Sequence, residues 1–456
     1  MPSEPIVVVG GGAAGVTCAC KLAERGDRVI LIEQGPQLGG RAGSFTHPDY
    51  GLIDFGQHIL MRCCKESAAL FDRLGVGDAL RFQSSLNVPI ATHDTPEPVR
   101  ARVASAPLPA PLHLVPSLLR YRPLSSTDRA RVIPAAWSLW LRSPTPGNTF
   151  ATWLERHAQS PEAVARFWDP ISIAALNAPA ASVDAGVAGM VFRKAFLSPH
   201  GADLGFFQRP LSELFGAAIP YLENRQGTVL LGTRVRAIEI TDGRCVGVRL
   251  ASGEAIRAAS VVSAVPPSDL AALLPDTLEP GRRLPISDVV QHLAWAPIVN
   301  LHLWFDRLVM PREQPLFIAV DGPVQAVFNG SALHEGSADH HVVLSQSNAQ
   351  ELVTMGDSRI IDRLLLSLGD LLPATRSARL RGALVVRWRR ATFVPEPGSD
   401  AFRPEPRSHF ERLMLAGDWV NTGWPSTIEG AVRAGVRAAM RVSQDNSRAV
   451  NLGLPQ

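Results

Sequence analysis

Residues 6–15 read Ile6-Val7-Val8-Val9-Gly10-Gly11-Gly12-Ala13-Ala14-Gly15. Four β-branched residues predict a strand, and the glycines that follow fit G-x-G-x-x-G, a turn that opens a helix. The helix face predicted to point inward carries Gly15, Ala19 and Leu22, and Gly26 ends it. Arg28 to Ile32 then form a second strand that finishes at Glu33. Each part has a physical task. Gly10 permits the tight turn, Gly12 lets backbone approach a pyrophosphate, and Gly15 lets helix and strand pack closely. A pyrophosphate at a helix N-terminus meets free N–H groups and the positive end of the helix dipole. Glu33 is placed to accept hydrogen bonds from a ribose. The unit predicts a dinucleotide, NAD or FAD.

The chain has 456 residues, 46% hydrophobic and 19% charged, enough to bury a large core in two or three domains. A net charge of +3, from 45 basic and 42 acidic residues, argues against a nucleic-acid binder, which carries a basic stripe. Only Lys21, Lys65 and Lys194 are lysines, so lysine chemistry is nearly excluded. The five cysteines (Cys18, Cys20, Cys63, Cys64 and Cys245) show neither a disulfide framework nor a zinc spacing, so no metal is expected. Neither a signal peptide nor an apolar membrane span is legible, and a cytoplasmic location is expected.

A second signal lies near the C-terminus. Leu415-Ala416-Gly417-Asp418-Trp419 reads as a strand ending in a glycine-acid turn, and Trp424-Pro425-Ser426-Thr427-Ile428-Glu429-Gly430-Ala431 as a helix start. Gly430, Ala431, Ala434 and Gly435 suit close helix packing. Short β-like runs recur at 228–232, 235–240, 245–250 and 260–265, with turns at Asp242-Gly243 and Ser252-Gly253. Helical periodicity is clearest at 13–25, 65–74, 360–371 and 428–442. Residues 104–126 read as a loop or broken helices, and the proline-rich 395–408 as a surface connection.

Leu38-Gly39-Gly40-Arg41, directly after Glu33, resembles the flavoproteins that include amine oxidases, carotenoid desaturases and protoporphyrinogen oxidases. The resemblance implies FAD. It implies a discontinuous α/β, Rossmann-like FAD-binding domain of the glutathione-reductase type, with an inserted α+β substrate domain. The expected boundaries are 1–85, 205–275 and 385–456 for the FAD-binding domain, and 86–204 and 276–384 for the substrate domain. The resemblance places Gly40 and Arg41 near the pyrophosphate, Asp418 on the ribityl–phosphate portion, the Ile428 N–H near the flavin O2, and Val235 beside the adenine. It adds Ala14, Gln34, Gly56, Gln57, His58, Thr427 and Ala431 to the cofactor-binding set. Only one G-x-G-x-x-G is present, so the electron donor, NAD(P)H or a flavin reductase, is expected to be external.

Gly56-Gln57-His58-Ile59-Leu60, Phe167-Trp168-Asp169-Pro170, Ala174-Ala175-Leu176-Asn177-Ala178-Pro179 and Trp424 to Gly435 together resemble the bacterial hydroxysqualene dehydroxylases. Asp54-Phe55-Gly56 departs from the expected Asp-Asn-Gly and leaves no polar group at its middle position. The reaction this implies replaces an allylic hydroxyl of a C30 isoprenoid with hydrogen, in hopanoid synthesis. Such chemistry requires an acid to help water leave and a dry apolar cavity. The candidate acids or polar anchors are His58, Asp169, Asn177 and Asp54. For His58 the structural alternative is a satisfied core histidine, and for Asp169 a turn or cap before Pro170. Rival readings on the same scaffold are a carotenoid or isoprenoid desaturase, an amine oxidase, and a non-catalytic isoprenoid-delivery protein. Thr427 at an expected cage aromatic, and the lack of lysine after Lys194, weigh against the amine oxidase. A peripheral membrane contact is expected within 110–142, where apolar residues interleave with Arg120, Arg122, Arg129, Arg131 and Arg142; the alternative is a helix pair packed on the core.

Overall fold

The structure is a computed structural model that describes residues 4–93, 101–275, 285–333 and 340–451. Its first layer is a five-stranded parallel sheet in the order Thr228–Leu230, Val29–Ile32, Ile6–Val9, Ser260–Ser263 and Leu413–Leu415. The Ile6–Val9 strand is buried at every position, as a strand covered on both faces requires. The helix Ala13–Ala23 follows the first turn, and the long helix Ile428–Asn451 packs along it. Gly435 makes that contact possible, because a Cβ there would stand 2.3 Å from the Ala14 carbonyl oxygen. The first and last nucleotide-type segments therefore meet.

An antiparallel meander, Val235–Thr241, Arg244–Leu250 and Ala255–Arg257, stands beside this sheet. Its first turn uses Asp242 and Gly243, both at positive φ, as a two-residue hairpin demands. The second layer is a seven-stranded sheet in the order Leu380–Phe393, Trp295–Phe305, His340–Ser347, Ala326–Asn329, Leu316–Val320, Asn87–Thr92 and Ala101–Ala104. Along the Trp295–Phe305 strand, Val299, Leu301 and Leu303 cluster with Ile360, Leu364 and Leu368 of the helix Asp357–Leu371. The opposite face, with Ile298 and Asn300, looks into a cavity between the layers. The α/β plus α+β expectation is met.

Two expected domain boundaries fall inside strands. Leu380–Phe393 crosses the 384/385 boundary and pairs along its length with Trp295–Phe305. Leu204–Phe207 crosses the 204/205 boundary and pairs with Ile59–Met61 and Leu80–Phe82. Residues 104–126 contain a short 3₁₀ turn, Leu112–Leu114, and the helix Val115–Leu119. The helix Ser126–Leu141 follows, capped by the Ser125 hydroxyl, which accepts from the Asp128 N–H at 3.1 Å. The expected connection at 395–408 does run at the surface, with Glu396, Gly398, Asp400, Ala401, Glu405 and Arg407 exposed, but it also buries Ser399 and Arg403. All five cysteines are free. Among the described residues no helix is long and apolar enough to cross a membrane.

Candidate functional site

A continuous cavity of about 1270 Å³ runs from the Gly10–Gly12 turn to the face of the seven-stranded sheet. Every expected cofactor-binding residue lines it except Gly15. Gly15 acts one step behind: a Cβ there would stand 1.8 Å from the Gly10 carbonyl oxygen, so only glycine lets the helix close on the turn. At Gly12 the opposite holds, since a Cβ would meet no atom within 4 Å and would project into open cavity.

Glu33 knits the turn together. Its Oε2 accepts from the Gly11 N–H at 2.6 Å and its Oε1 from the Gly35 N–H at 2.7 Å. A carboxylate has about four lone-pair sites, so acceptor capacity remains for a ribose hydroxyl. Glu33→Ala should weaken FAD binding by roughly 1–3 kcal/mol, the scale of a hydrogen bond to a charged group. Loosening of Gly11 and Gly35 adds to that loss, and a flavin fluorescence titration measures the sum. The Gly39–Gly40 turn lies against the first loop, with the Gly39 N–H donating to the Gly11 carbonyl at 2.9 Å. Thr233 to Arg236, including Val235, and Gln34 border the same end of the cavity.

The C-terminal segment is held by charge. Asp418 is buried, and its carboxylate accepts from Arg41 and from the Ser426 hydroxyl. Burial alone would raise its pKa, but the Arg41 guanidinium, the Ser426 hydroxyl and the nearby Arg403 hold it below the usual carboxylate range. Arg403 is a residue that sequence reasoning missed. Its buried guanidinium donates to the carbonyls of Asp418, Val420 and Trp424 at 3.2, 2.9 and 2.8 Å, fixing the turn before the final helix. Thr427 caps that helix, its hydroxyl accepting from the Gly430 N–H at 3.1 Å. The N–H groups of Ile428 and Glu429 have no intrahelical partner by geometry and sit at the cavity edge. Glu429, also missed, is fully buried and accepts from the Ser67 N–H and hydroxyl at 2.9 and 2.8 Å, tying this helix to Lys65–Arg73.

Beyond the cradle the wall is mainly apolar, with Ile173, Ala174, Ile298, Ile318, Val320 and Phe328. Of the four candidate acids, His58, Asp169 and Asn177 line this region and Asp54 does not. Asp54 is buried behind it, where its Oδ1 accepts from the Ser44 hydroxyl at 2.6 Å and the Leu211 N–H at 3.0 Å. That carboxylate braces the loop instead of facing a ligand, which corrects its expected role as an acid. Asn177, left-handed at the end of the helix Asp169–Leu176, spends its amide on structure. It donates to the Ala296 carbonyl at 3.2 Å and the Thr392 hydroxyl at 2.9 Å, and accepts from the Asn348 N–H. Its expected role as an acid or anchor is corrected too.

His58 Nδ1 lies 2.9 Å from the Gly56 carbonyl oxygen. A carbonyl only accepts, so in the neutral ring Nδ1 carries the proton and Nε2 does not. Burial lowers the imidazole pKa, against the opposing pull of Asp54 and the Gly56 carbonyl. Neutral His58 is therefore an acceptor at Nε2, not a donor, which corrects the expectation that it supplies the proton. Asp169 is the reverse case. Burial raises its carboxyl pKa, opposed only by the Ala180 N–H, which donates to Oδ1 at 2.7 Å. It follows a π-helical turn, Val164–Trp168, that offsets the helix just before it. This is the cavity carboxyl best suited to hold a proton.

The arrangement fits a dinucleotide: an open helix N-terminus at Gly12, an acid with spare lone pairs at Glu33, and a second helix start at Thr427. It continues into a mainly apolar space lined by Ile173, Ile298, Ile318 and Phe328. The sequence profile of the flavin containing amine oxidoreductase family matches residues 13–443. The chain is 28% identical over 450 residues to the hydroxysqualene dehydroxylase of Rhodopseudomonas palustris, covering 96% of this chain and 98% of the relative. It is 26% identical over 476 residues to the 15-cis-phytoene desaturase of Solanum lycopersicum, covering 97% and 79%. Among solved structures, an oxidoreductase from Methanosarcina mazei superposes with a TM-score of 0.75 at 18% identity, over 97% of this chain and 100% of that one.

Proposed function

This chain belongs to the flavin-containing amine oxidoreductase family, and from that premise we propose that it removes the allylic hydroxyl of hydroxysqualene reductively, giving squalene. It is an FAD-dependent oxidoreductase. The observation that carries the finer reading is Asp169, a carboxyl whose pKa is raised by burial, on the wall of the apolar space that joins the FAD cradle. The alcohol takes up two electrons and two protons; its C–O bond breaks, a C–H bond forms and water leaves. Bound FAD in its reduced state supplies the electrons. Asp169 gives the proton that turns the hydroxyl into a leaving water. The aliphatic wall keeps bulk water from the allylic centre. A relative of matching length, named a hydroxysqualene dehydroxylase, supports the reading.

Oxidative desaturation of a hydrocarbon is the second reading, favoured by the phytoene desaturases among the relatives. Direction separates the two. Under a continuous external reductant the protein should convert hydroxysqualene to squalene. Oxidised protein should leave the hydrocarbon without new double bonds; a gain of double bonds with no loss of oxygen overturns the dehydroxylation reading.

The expected membrane contact also stands as a proposal, with an anionic bilayer as the partner. Leu108, Leu112, Leu119, Trp137, Trp140 and Leu141 are six of the ten large hydrophobic residues exposed among the described residues. Trp137 and Trp140 lie with ring centroids 5.2 Å apart. Arg120, Arg122, Arg131 and Arg142 are exposed around them, while the one acid of this stretch, Asp128, is buried. The pattern suits an interface of apolar anchors and anionic headgroups. Beneath lies a small apolar pocket whose wall includes Leu118, Ile133, Phe167 and Ile171. Ile171 shares its helix with Asp169 and Ile173 of the main cavity, which supports a route for the substrate. Replacing Leu119, Trp140 and Leu141 together by glutamate should abolish cosedimentation with anionic vesicles and leave turnover of detergent-dispersed substrate intact. Unchanged cosedimentation removes the idea.

A further inference from the structure

Besides the Gly10–Gly12 turn, the cavity is bordered by two short stretches at the molecular surface. One is the π-helical turn Val164–Trp168, which supplies Ala165. The other is the turn after the strand Leu316–Val320, which supplies Asp321 and Gly322. All three residues are exposed, and so are Glu162 and Pro323 just outside them, which do not line the cavity. An ion pair spans the gap: Arg166 Nε donates to Asp321 Oδ1 at 3.0 Å. Arg166 is also held on its own side. Its Nη1 lies 3.1 Å from Glu162 Oε1 and donates to the Pro123 carbonyl at 3.3 Å, while its carbonyl accepts from the Tyr121 hydroxyl at 2.8 Å. The contacts with Pro123 and Tyr121 join it to the segment that carries exposed Leu119. Opposite, Asp321 is left-handed, and a Cβ at Gly322 would stand 2.0 Å from the His93 ring. That turn therefore lies close against His93, directly after the strand Asn87–Thr92.

With FAD on the Gly10–Gly12 turn, a long chain comes in elsewhere, and once it is inside, bulk water has to be kept out. A barrier that opens and closes meets both demands. We propose that the isoprenoid enters between the 164–168 and 320–323 turns, and that the Arg166–Asp321 ion pair bars this entrance and parts to admit the chain. The two side chains are 27% and 15% exposed, so solvent screens the pair and it is weak enough to break and re-form. Breaking it leaves no lone charge on the helix side, because Glu162 still faces Arg166. The moving part is the π-helical turn, a local irregularity of the kind found at functional sites. The proposal rests on the reading of the apolar space as the isoprenoid's site.

The test follows exchange of ligand, not turnover. Oxidised holoenzyme is mixed rapidly with detergent-dispersed hydroxysqualene or squalene, and entry and release are read from the change in flavin absorbance. Asp321→Asn removes the charge and suits the left-handed backbone, which asparagine adopts readily. Arg166→Gln removes the other partner. Each should speed both entry and release about fivefold, the scale of a partly exposed ion pair, with equilibrium affinity and FAD content unchanged. The bar acts on the chain and not on its hydroxyl, so both ligands should respond alike. High salt should speed exchange in the wild-type protein and have no effect in Asp321→Asn. Unaltered rates in either folded variant, a faster release alone, or loss of FAD overturns the entrance. So does the absence of any flavin change with both ligands. Should one variant fail to fold, the other and the salt response decide. Faster exchange without any dehydroxylation would refute the reaction and keep the entrance. Dehydroxylation with unaltered exchange would do the opposite.

Discussion

Gly12→Val should fold, purify and carry no yellow colour. The protein tolerates the side chain because a Cβ at position 12 meets nothing within 4 Å. The same open space is where a pyrophosphate must approach the N–H groups that begin the helix Ala13–Ala23. A branched side chain there holds the anion away from the helix start. Far-UV circular dichroism should match wild type while flavin absorbance is absent, even after reconstitution with FAD. A yellow variant would show that the pyrophosphate lies elsewhere.

The second large effect concerns Asp169. Asp169→Asn keeps an oxygen to accept from the Ala180 N–H, so the tie to the loop after this helix survives, but the side chain can no longer yield a proton. Turnover of the alcohol should fall on the order of 10²–10⁴-fold, the usual contribution of a positioned acid, with FAD content unchanged. The pH dependence has a definite sign. The acid works while protonated, and burial raises its pKa. Wild-type rate should therefore be full at low pH and fall as pH climbs through a value above the ordinary carboxylate range. In the variant that falling limb should vanish. A limb that persists would assign the proton to another group.

What the sequence made legible, and what it hid, follows from the range of the interactions. Gly12, Gly15 and Thr427 act on backbone within a turn or a cap, and Glu33 reaches Gly11 across one strand–helix–strand unit of fixed length, so their spacing along the chain already carries the geometry. Asp418 was legible as a turn acid, but its ion pair with Arg41 joins opposite ends of the chain. Arg403 lies between Pro397, Pro404 and Pro406 and so looks solvated; its burial exists only because three carbonyls of the 418–424 turn converge on it. Glu429 looks like an ordinary first-turn acid that favours the helix dipole, yet it is fully buried against Ser67. Asp54 and Asn177 have chemistry to offer, and only tertiary contacts reveal that it is already used. Asn300 did leave a trace: Asn300 and His302 alternate with Val299, Leu301 and Leu303, a period of two that puts polar groups on one face of a strand. Nothing local says that this face looks into a cavity.

The central claim is that FAD, held where these distant segments meet, delivers its electrons to an oxygen-bearing isoprenoid in the adjoining apolar space. Anaerobic mixing of the photoreduced holoenzyme with hydroxysqualene, with lipid extraction after the flavin signal settles, tests it most directly. Flavin should reoxidise and squalene should appear in equal amounts, one molecule for each flavin. Flavin that stays reduced, or reoxidises without squalene, would contradict the account.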